Sequence, residues 1–322
     1  GGAARGGVAG CGAGHASAGG GVGAVGRCAG MGARARAGAE VLVFPDRVLA
    51  DAEGLAAVVI SRSGRTSEAV QAARLLEQEK NIRVLAVTGT PDQPLEQTAT
   101  ATLPLLPCDE QSTVMTRSFT SLLLGLQYLA ACQADDSTLR HSLGKLPGLT
   151  QPALDSLHPR VRDFVAARQF ADYVCLGQGP FFGLACETAL KITEMSVSYA
   201  QCFHTLEFRH GPKSIVGPET LIIFLLSEQG YDAECDVLQE IKGLGGTTLA
   251  VANRADKRAR AASDLLIEFD LDLPEVARLA PYVFAGQLTG LYTGLRKGLD
   301  PDHPRNLSRV VVLDEEKALP LK

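Results

Sequence analysis

Short apolar runs alternate along this chain with longer segments in which apolar residues recur every three or four positions. In the first half, residues 56–60, 83–88 and 101–106 predict buried strands, while 66–78 and 115–132 predict helices. The second half repeats the theme, with strands predicted over 173–176, 220–226, 247–252 and 265–269, and helices over 183–196, 232–244 and 274–297. Strands alternating with amphipathic helices point to an α/β fold of parallel sheets and crossover helices. Two such halves predict two domains. The stretch 135–159 carries Pro147, Pro152 and Pro159 among polar residues, which places the boundary near residue 150 and the domains at 1–150 and 151–322.

Composition narrows the function. A length of 322 residues fits two hydrophobic cores better than one. The net charge of −5, with no Lys/Arg-rich run, gives no footprint for nucleic acid. Apolar runs such as 221–226 and 103–106 fall far short of the roughly 20 residues of a membrane helix. A soluble, cytoplasmic protein with no membrane partner is expected. Eight cysteines are scattered without a C-x-x-C pair, so they read as small buried hydrophobes in a reducing compartment rather than as zinc or redox centres.

Residues 1–40 stand apart, with fifteen glycines, twelve alanines and no acidic residue before Glu40. Such glycine density weakens helix and strand alike. Three readings stay open: a disordered leader, an unusual first βα unit, or a sequence altered by a reading-frame error in GC-rich coding DNA. No continuous apolar stretch marks a secretory signal.

Two segments carry candidate chemistry. Residues 58–68, Val-Val-Ile-Ser-Arg-Ser-Gly-Arg-Thr-Ser-Glu, run from a strand through a hydroxyl-rich turn into a helix. Unpaired helix amides, the helix dipole and Ser/Thr hydroxyls together suit an anion, and Gly64 lets the backbone approach it. The same residues would equally serve a plain helix cap. The second segment is Glu187-Thr-Ala-Leu-Lys191-Ile-Thr-Glu194, followed by Glu207-Phe-Arg-His210-Gly-Pro. Glu187, Lys191 and Glu194 share one helix face. Carboxylate, ammonium and imidazole are what aldose–ketose proton transfer needs, though a solvated face with an ion pair explains the spacing too.

The Ser-Arg-Ser-Gly-x-Thr loop resembles the phosphosugar loop of the sugar isomerase (SIS) domain. The segment 110–120, beginning Glu-Gln-Ser-Thr, is similar to the part that closes the same pocket. Residues 187–194 with 207–212 resemble the active-site region in the isomerase half of glutamine–fructose-6-phosphate aminotransferase, and Phe-Arg-His-Gly-Pro-Lys-Ser at 208–214 looks like the galactosamine/tagatose-phosphate isomerase and deaminase group. The resemblance spans about residues 56–310 and implies two flavodoxin-like SIS domains. It implies that Ser61, Ser63, Gly64 and Thr66, with Arg62 and Thr113, bind a sugar phosphate. Glu194 would carry the C1/C2 proton, Lys191 would polarise sugar oxygens, and His210 would open the ring from the neighbouring subunit of a homodimer. Glu187 and Glu207 would orient substrate. Lys213 is assigned no role, and His204 reads more readily as structural. No metal or organic cofactor is implied, and the partner is a phosphorylated sugar or amino sugar.

Four departures limit this inheritance. No glutaminase segment with an N-terminal cysteine precedes the two halves, so glutamine is not expected as nitrogen source. Arg309, in a segment resembling the family's closing tail, stands where an imine-forming lysine is expected, and arginine stays protonated. Arg309 is therefore a substrate contact rather than a nucleophile. The second half has Ser227-Glu-Gln-Gly230 in place of a Ser-x-Ser-Gly turn, which implies one phosphate loop per chain. Finally, Gly10-Cys-Gly-Ala-Gly14-His15 lacks the hydroxyl that the resemblance would place at Gly14.

Overall fold

The computed structural model describes residues 5–10, 33–50 and 54–313, with side chains from residue 33 onward. It contains two compact units. One runs to Ser137 and includes the residues from Asn306 onward, and the other is Thr138–Arg305.

The first unit holds a parallel sheet of β1 (Arg5–Gly10), β2 (Ala33–Ala37), β3 (Leu55–Ile60), β4 (Val84–Thr88) and β5 (Ala101–Pro104), in the order β2-β1-β3-β4-β5. Strand period explains its two buried faces. Ala57, Val59, Val84 and Ala86 join one core with Ala69, Ala72, Ala73 and Leu76 of the segment that begins as α1 (Ser67–Arg74). Their neighbours Ile60 and Val87 join another with Leu122 and Leu126 of α2 (Arg117–Gln133). Residues 5–10 and 33–37, from the glycine- and alanine-rich stretch, are strands in register with each other, and the first is also in register with β3. The helix that follows, Gly38–Val43, places Val41 and Leu42 in the first core. Gly14 and the rest of 11–32 lie outside the described residues.

The second unit repeats the topology with β6 (Asp172–Gly177), β7 (Ala200–His204), β8 (Thr220–Leu225), β9 (Thr247–Ala252) and β10 (Leu265–Glu268), ordered β10-β9-β8-β6-β7 and wholly parallel. Numbered within each unit, both sheets read 2-1-3-4-5, the flavodoxin-like order. The expected α/β architecture is present, with β1 and β2 in the first unit and β7 in the second as strands that the apolar pattern did not announce.

The expected break near residue 150 is absent, because the proline-bearing stretch is a single helix, α3 (Ser137–Ala166), containing Pro147, Pro152 and Pro159. Leu139, Leu143, Leu146, Leu157, Val161 and Phe164 form its buried stripe, while all three prolines lie on exposed positions. There water can take up the carbonyls that each ring frees, so burial of the stripe outweighs the local helix-breaking tendency. The unit boundary accordingly lies at 137/138.

Two further helices of the second unit matter for its chemistry: α4 (Pro180–Ser196) and α6 (Phe284–Arg296), with α5 (Tyr231–Gly243) between them in sequence. Gly286, Gly290 and Gly294 form a stripe on α6 that meets Thr188, Lys191 and Met195 of α4. Without side chains there, the two helices approach at backbone distance.

Candidate active site

In the first unit the hydroxyl-rich loop follows β3 directly. Gly64 has φ +63°, a left-handed conformation that glycine adopts without strain, and its amide donates to the Ser61 carbonyl at 3.2 Å. The Ser61 and Thr66 hydroxyls stand 3.2 Å apart, and the Ser63 hydroxyl accepts from the Arg65 amide at 3.2 Å. Thr66 occupies the cap position before α1, yet its side chain accepts no capping bond from the helix. The plain-cap reading therefore does not describe this loop. Its hydroxyls line a small cavity of about 50 Å³ with Arg62, Met115 and Arg309.

Arg62, besides lining this cavity, has a structural part. Its guanidinium is buried and donates to the carbonyls of Ser112 at 3.1 Å and Arg309 at 2.9 Å, with the Glu110 carboxylate 3.9 Å away. Burial pushes its pKa down, with Glu110 opposing. Its backbone carbonyl accepts from Gly89 N and the Thr88 hydroxyl. Arg62 thus ties the loop to the segment 109–118 and to the residues around Arg309.

Glu110 organises that segment. Its carboxylate accepts from the amides of Thr116, Arg117 and Ser118 at 3.0, 3.1 and 3.0 Å and from the hydroxyls of Thr116 and Ser118. A carboxylate six residues upstream, rather than a local Ser or Thr, caps α2. Thr113 sits half-buried in the bend before it. The Arg309 guanidinium donates to Asp109 Oδ1 at 2.7 Å and to the Glu110 carbonyl at 2.6 Å. Met115 was not singled out by its residue type; its position within the 110–120 segment was the available signal.

In the second unit, α4 carries Glu187, Lys191 and Glu194 on one face. This face is not solvated: Glu187 and Lys191 are 0 and 1 % exposed, and Glu194 is 21 % exposed. Lys191 Nζ lies 3.5 Å from Glu187 Oε1 and donates to Glu194 Oε2. The ordinary surface-pair explanation is excluded by that burial, because buried charge is costly unless matched. The ammonium is held between two carboxylates, of which only Glu194 reaches toward open space.

The downstream motif has a mixed fate. Glu207 and His210 are exposed, with the His210 amide donating to the Glu207 carbonyl at 3.0 Å. Arg209 and Lys213 both pair with Glu240 of α5, which fixes this turn to the helix. His204 stacks on Phe182 of α4, ring centroids 3.8 Å apart and planes within 18°, in keeping with a packing role.

The second unit also has a larger cavity of about 510 Å³ at the C-terminal ends of β8 and β9, lined by Ser227, Glu228, Gly230, Tyr231, Asp232 and Asn253 among others. It differs from the first unit's loop. Gly230 has φ −97°, the Ser227 hydroxyl donates to Glu234 at 3.2 Å, and carboxylates stand at the rim. The buried Glu234 carboxyl, desolvated, is pushed up to about 7. The lining also holds Arg254, which is paired with Asp270, beside the carboxylates of Glu228 and Asp232. Among the described residues, no group of three or more His, Cys, Asp or Glu is placed to hold a metal ion. No helix among them is long and apolar enough to cross a membrane.

Residues 44–131 match the SIS domain. Over 276 residues the chain is 29 % identical to a glutamine–fructose-6-phosphate aminotransferase (isomerizing) of Agrobacterium fabrum, covering 80 % of this chain and 44 % of that protein. It therefore spans less than half the length of that relative. Among solved structures, glucosamine-6-phosphate deaminase from Thermotoga maritima aligns with a TM-score of 0.78 at 26 % identity, covering 96 % of this chain and 91 % of that one. Tagatose-6-phosphate ketose/aldose isomerase from Escherichia coli aligns with a TM-score of 0.82 at 23 % identity, covering 94 % and 86 %, and shows the fold.

Proposed function

We propose, from the match of residues 44–131 to the SIS domain, that the chain is an isomerase or deaminase of a hexose or hexosamine 6-phosphate, acting by enediol or enediolamine proton transfer. The observation that carries this reading is the buried Glu187–Lys191–Glu194 set on α4. A lysine matched by two carboxylates inside a helix face adds little to stability over apolar packing, but it supplies a base beside a fixed positive charge.

Ser61, Ser63 and Thr66 hold the phosphate. Glu194 removes the proton from one of the two adjacent carbons and returns it to the other. Lys191 stabilises the negative oxygen of the intermediate, and Glu187 holds the ammonium in place. His210, exposed in its own chain, opens the sugar ring of a site in a second subunit. Thr113, Glu207 and Arg309 complete the substrate contacts. Arg309 is held by Asp109 and the Glu110 carbonyl and forms no imine, which leaves proton transfer through Glu194 as the route.

The test is solvent exchange in deuterated water, at C1 of fructose 6-phosphate and at C2 of glucosamine and galactosamine 6-phosphates. Exchange with one of these sugars, reduced by 10²- to 10⁴-fold in Glu194→Gln, is the expected result. Binding without exchange for all three would refute the enzyme and leave a phosphosugar-binding module.

A further inference from the structure

Cys186 on α4 and Cys202 on β7 have their sulfurs 2.8 Å apart. A second contact holds them there. Phe182 and Cys186 are one helical turn apart on α4 and meet His204 and Cys202, alternate residues of β7. The stacked rings thereby fix the register in which the sulfurs face each other. Both cysteines are half-buried, and β7 is the edge strand of its sheet. Cys175 on β6 is the register partner of Cys202 but is fully buried.

We propose that Cys186 and Cys202 form a reversible dithiol–disulfide site, oxidised by a hydroperoxide and reduced again by a small dithiol. The hydrogen bond between the two thiols lowers the pKa of Cys202 and raises that of Cys186, which favours Cys202 as the attacking sulfur. Its thiolate takes one oxygen from the peroxide, the O–O bond breaks, and the other oxygen leaves as water or alcohol after protonation. The Cys186 sulfur then displaces hydroxide from the resulting sulfenic acid, forming the S–S bond. In total, two thiols and one peroxide give one disulfide and two molecules of water or, from an organic peroxide, one water and one alcohol. Less than 1 Å separates the present contact from the roughly 2.05 Å of a disulfide bond, so the step needs little backbone movement. The bond ties α4 to β7 one residue before Glu187.

The experiment treats the full chain with hydrogen peroxide, alkylates the remaining thiols and maps peptides without reduction. The expected result is a linked pair containing Cys186 and Cys202, two hydrogens lighter than the sum, and released by dithiothreitol. Cys202→Ala abolishes the pair, while Cys132→Ala, which removes an exposed thiol, leaves it. The readout is chemical and independent of catalysis, so its failure is distinct from failure of the proposed reaction. Oxidation at Cys132 with Cys186 and Cys202 still fully alkylated would overturn the proposal, as would an undiminished loss of two thiols in Cys202→Ala.

Discussion

Gly290 of α6 lies directly against the Lys191 carbonyl of α4: a Cβ built on it would stand 2.8 Å from that oxygen. Alanine is the better helix former, by about 1 kcal/mol, yet here its methyl meets backbone that cannot swing aside. Gly290→Ala is expected to destabilise the protein by about 1–3 kcal/mol. Gly148→Ala in α3, where nothing lies within 4 Å, is expected to stabilise it by roughly 0.5–1 kcal/mol. Urea midpoints for the two variants should move in opposite directions.

Arg62 tests the first unit in the same way. Its buried guanidinium satisfies two carbonyls and faces Glu110. Arg62→Met leaves these acceptors without a donor and should cost on the order of 3 kcal/mol. Chemical denaturation measures the loss. An unchanged midpoint would mean that the guanidinium does not hold the loop.

The phosphate loop should affect binding more than turnover. Thr66→Val removes one hydroxyl from the cavity while keeping the branched shape. The expected result is a KM about tenfold higher for a sugar phosphate at nearly constant kcat, corresponding to about 1.5 kcal/mol for a bond to a charged group. A fall in kcat with unchanged KM would move Thr66 away from phosphate binding.

Glu234 sets a pH dependence. Burial raises its folded pKa from 4.5 to about 7, so the folded state binds the proton more tightly than the unfolded chain. Its contribution to stability is fully present below about pH 4.5 and is lost as pH rises through about 7. Glu234→Gln does not titrate, and its thermal midpoint should decline less than the parent's between those two values.

Most of the fold was legible because buried parallel strands read as continuous apolar runs: the segment 220–226 could hardly be anything else. What escaped had physical reasons. Ala200–His204 is a half-buried edge strand whose Gln and His break the run. The prolines of α3 signalled a break, but they occupy the exposed side of a helix whose other side is buried. At the site, residue types identified Glu187, Lys191 and Glu194 as a set, whereas the burial of α4, on which α6 packs at Thr188, Lys191 and Met195, is a tertiary effect. The Gly-x₃-Gly-x₃-Gly spacing from 286 to 294 was the available sign of that close approach. The structural engagement of Arg62 was not legible, because its acceptors at Ser112 and Arg309 are 50 and 247 positions away.

That last separation bears on the order of synthesis. The carbonyl that completes Arg62's bonding belongs to Arg309, and the Ser67 amide at the start of α1 donates to Val311. At about 5–20 residues per second, a ribosome needs roughly 12–50 s to travel from one partner to the other. For most of that interval the nascent loop carries a guanidinium awaiting the second of its two acceptors, although every strand of its own sheet has been made by residue 104. The first unit to be translated is therefore among the last to be finished, and its anion-binding loop reaches final form only when the distant segment closes on it.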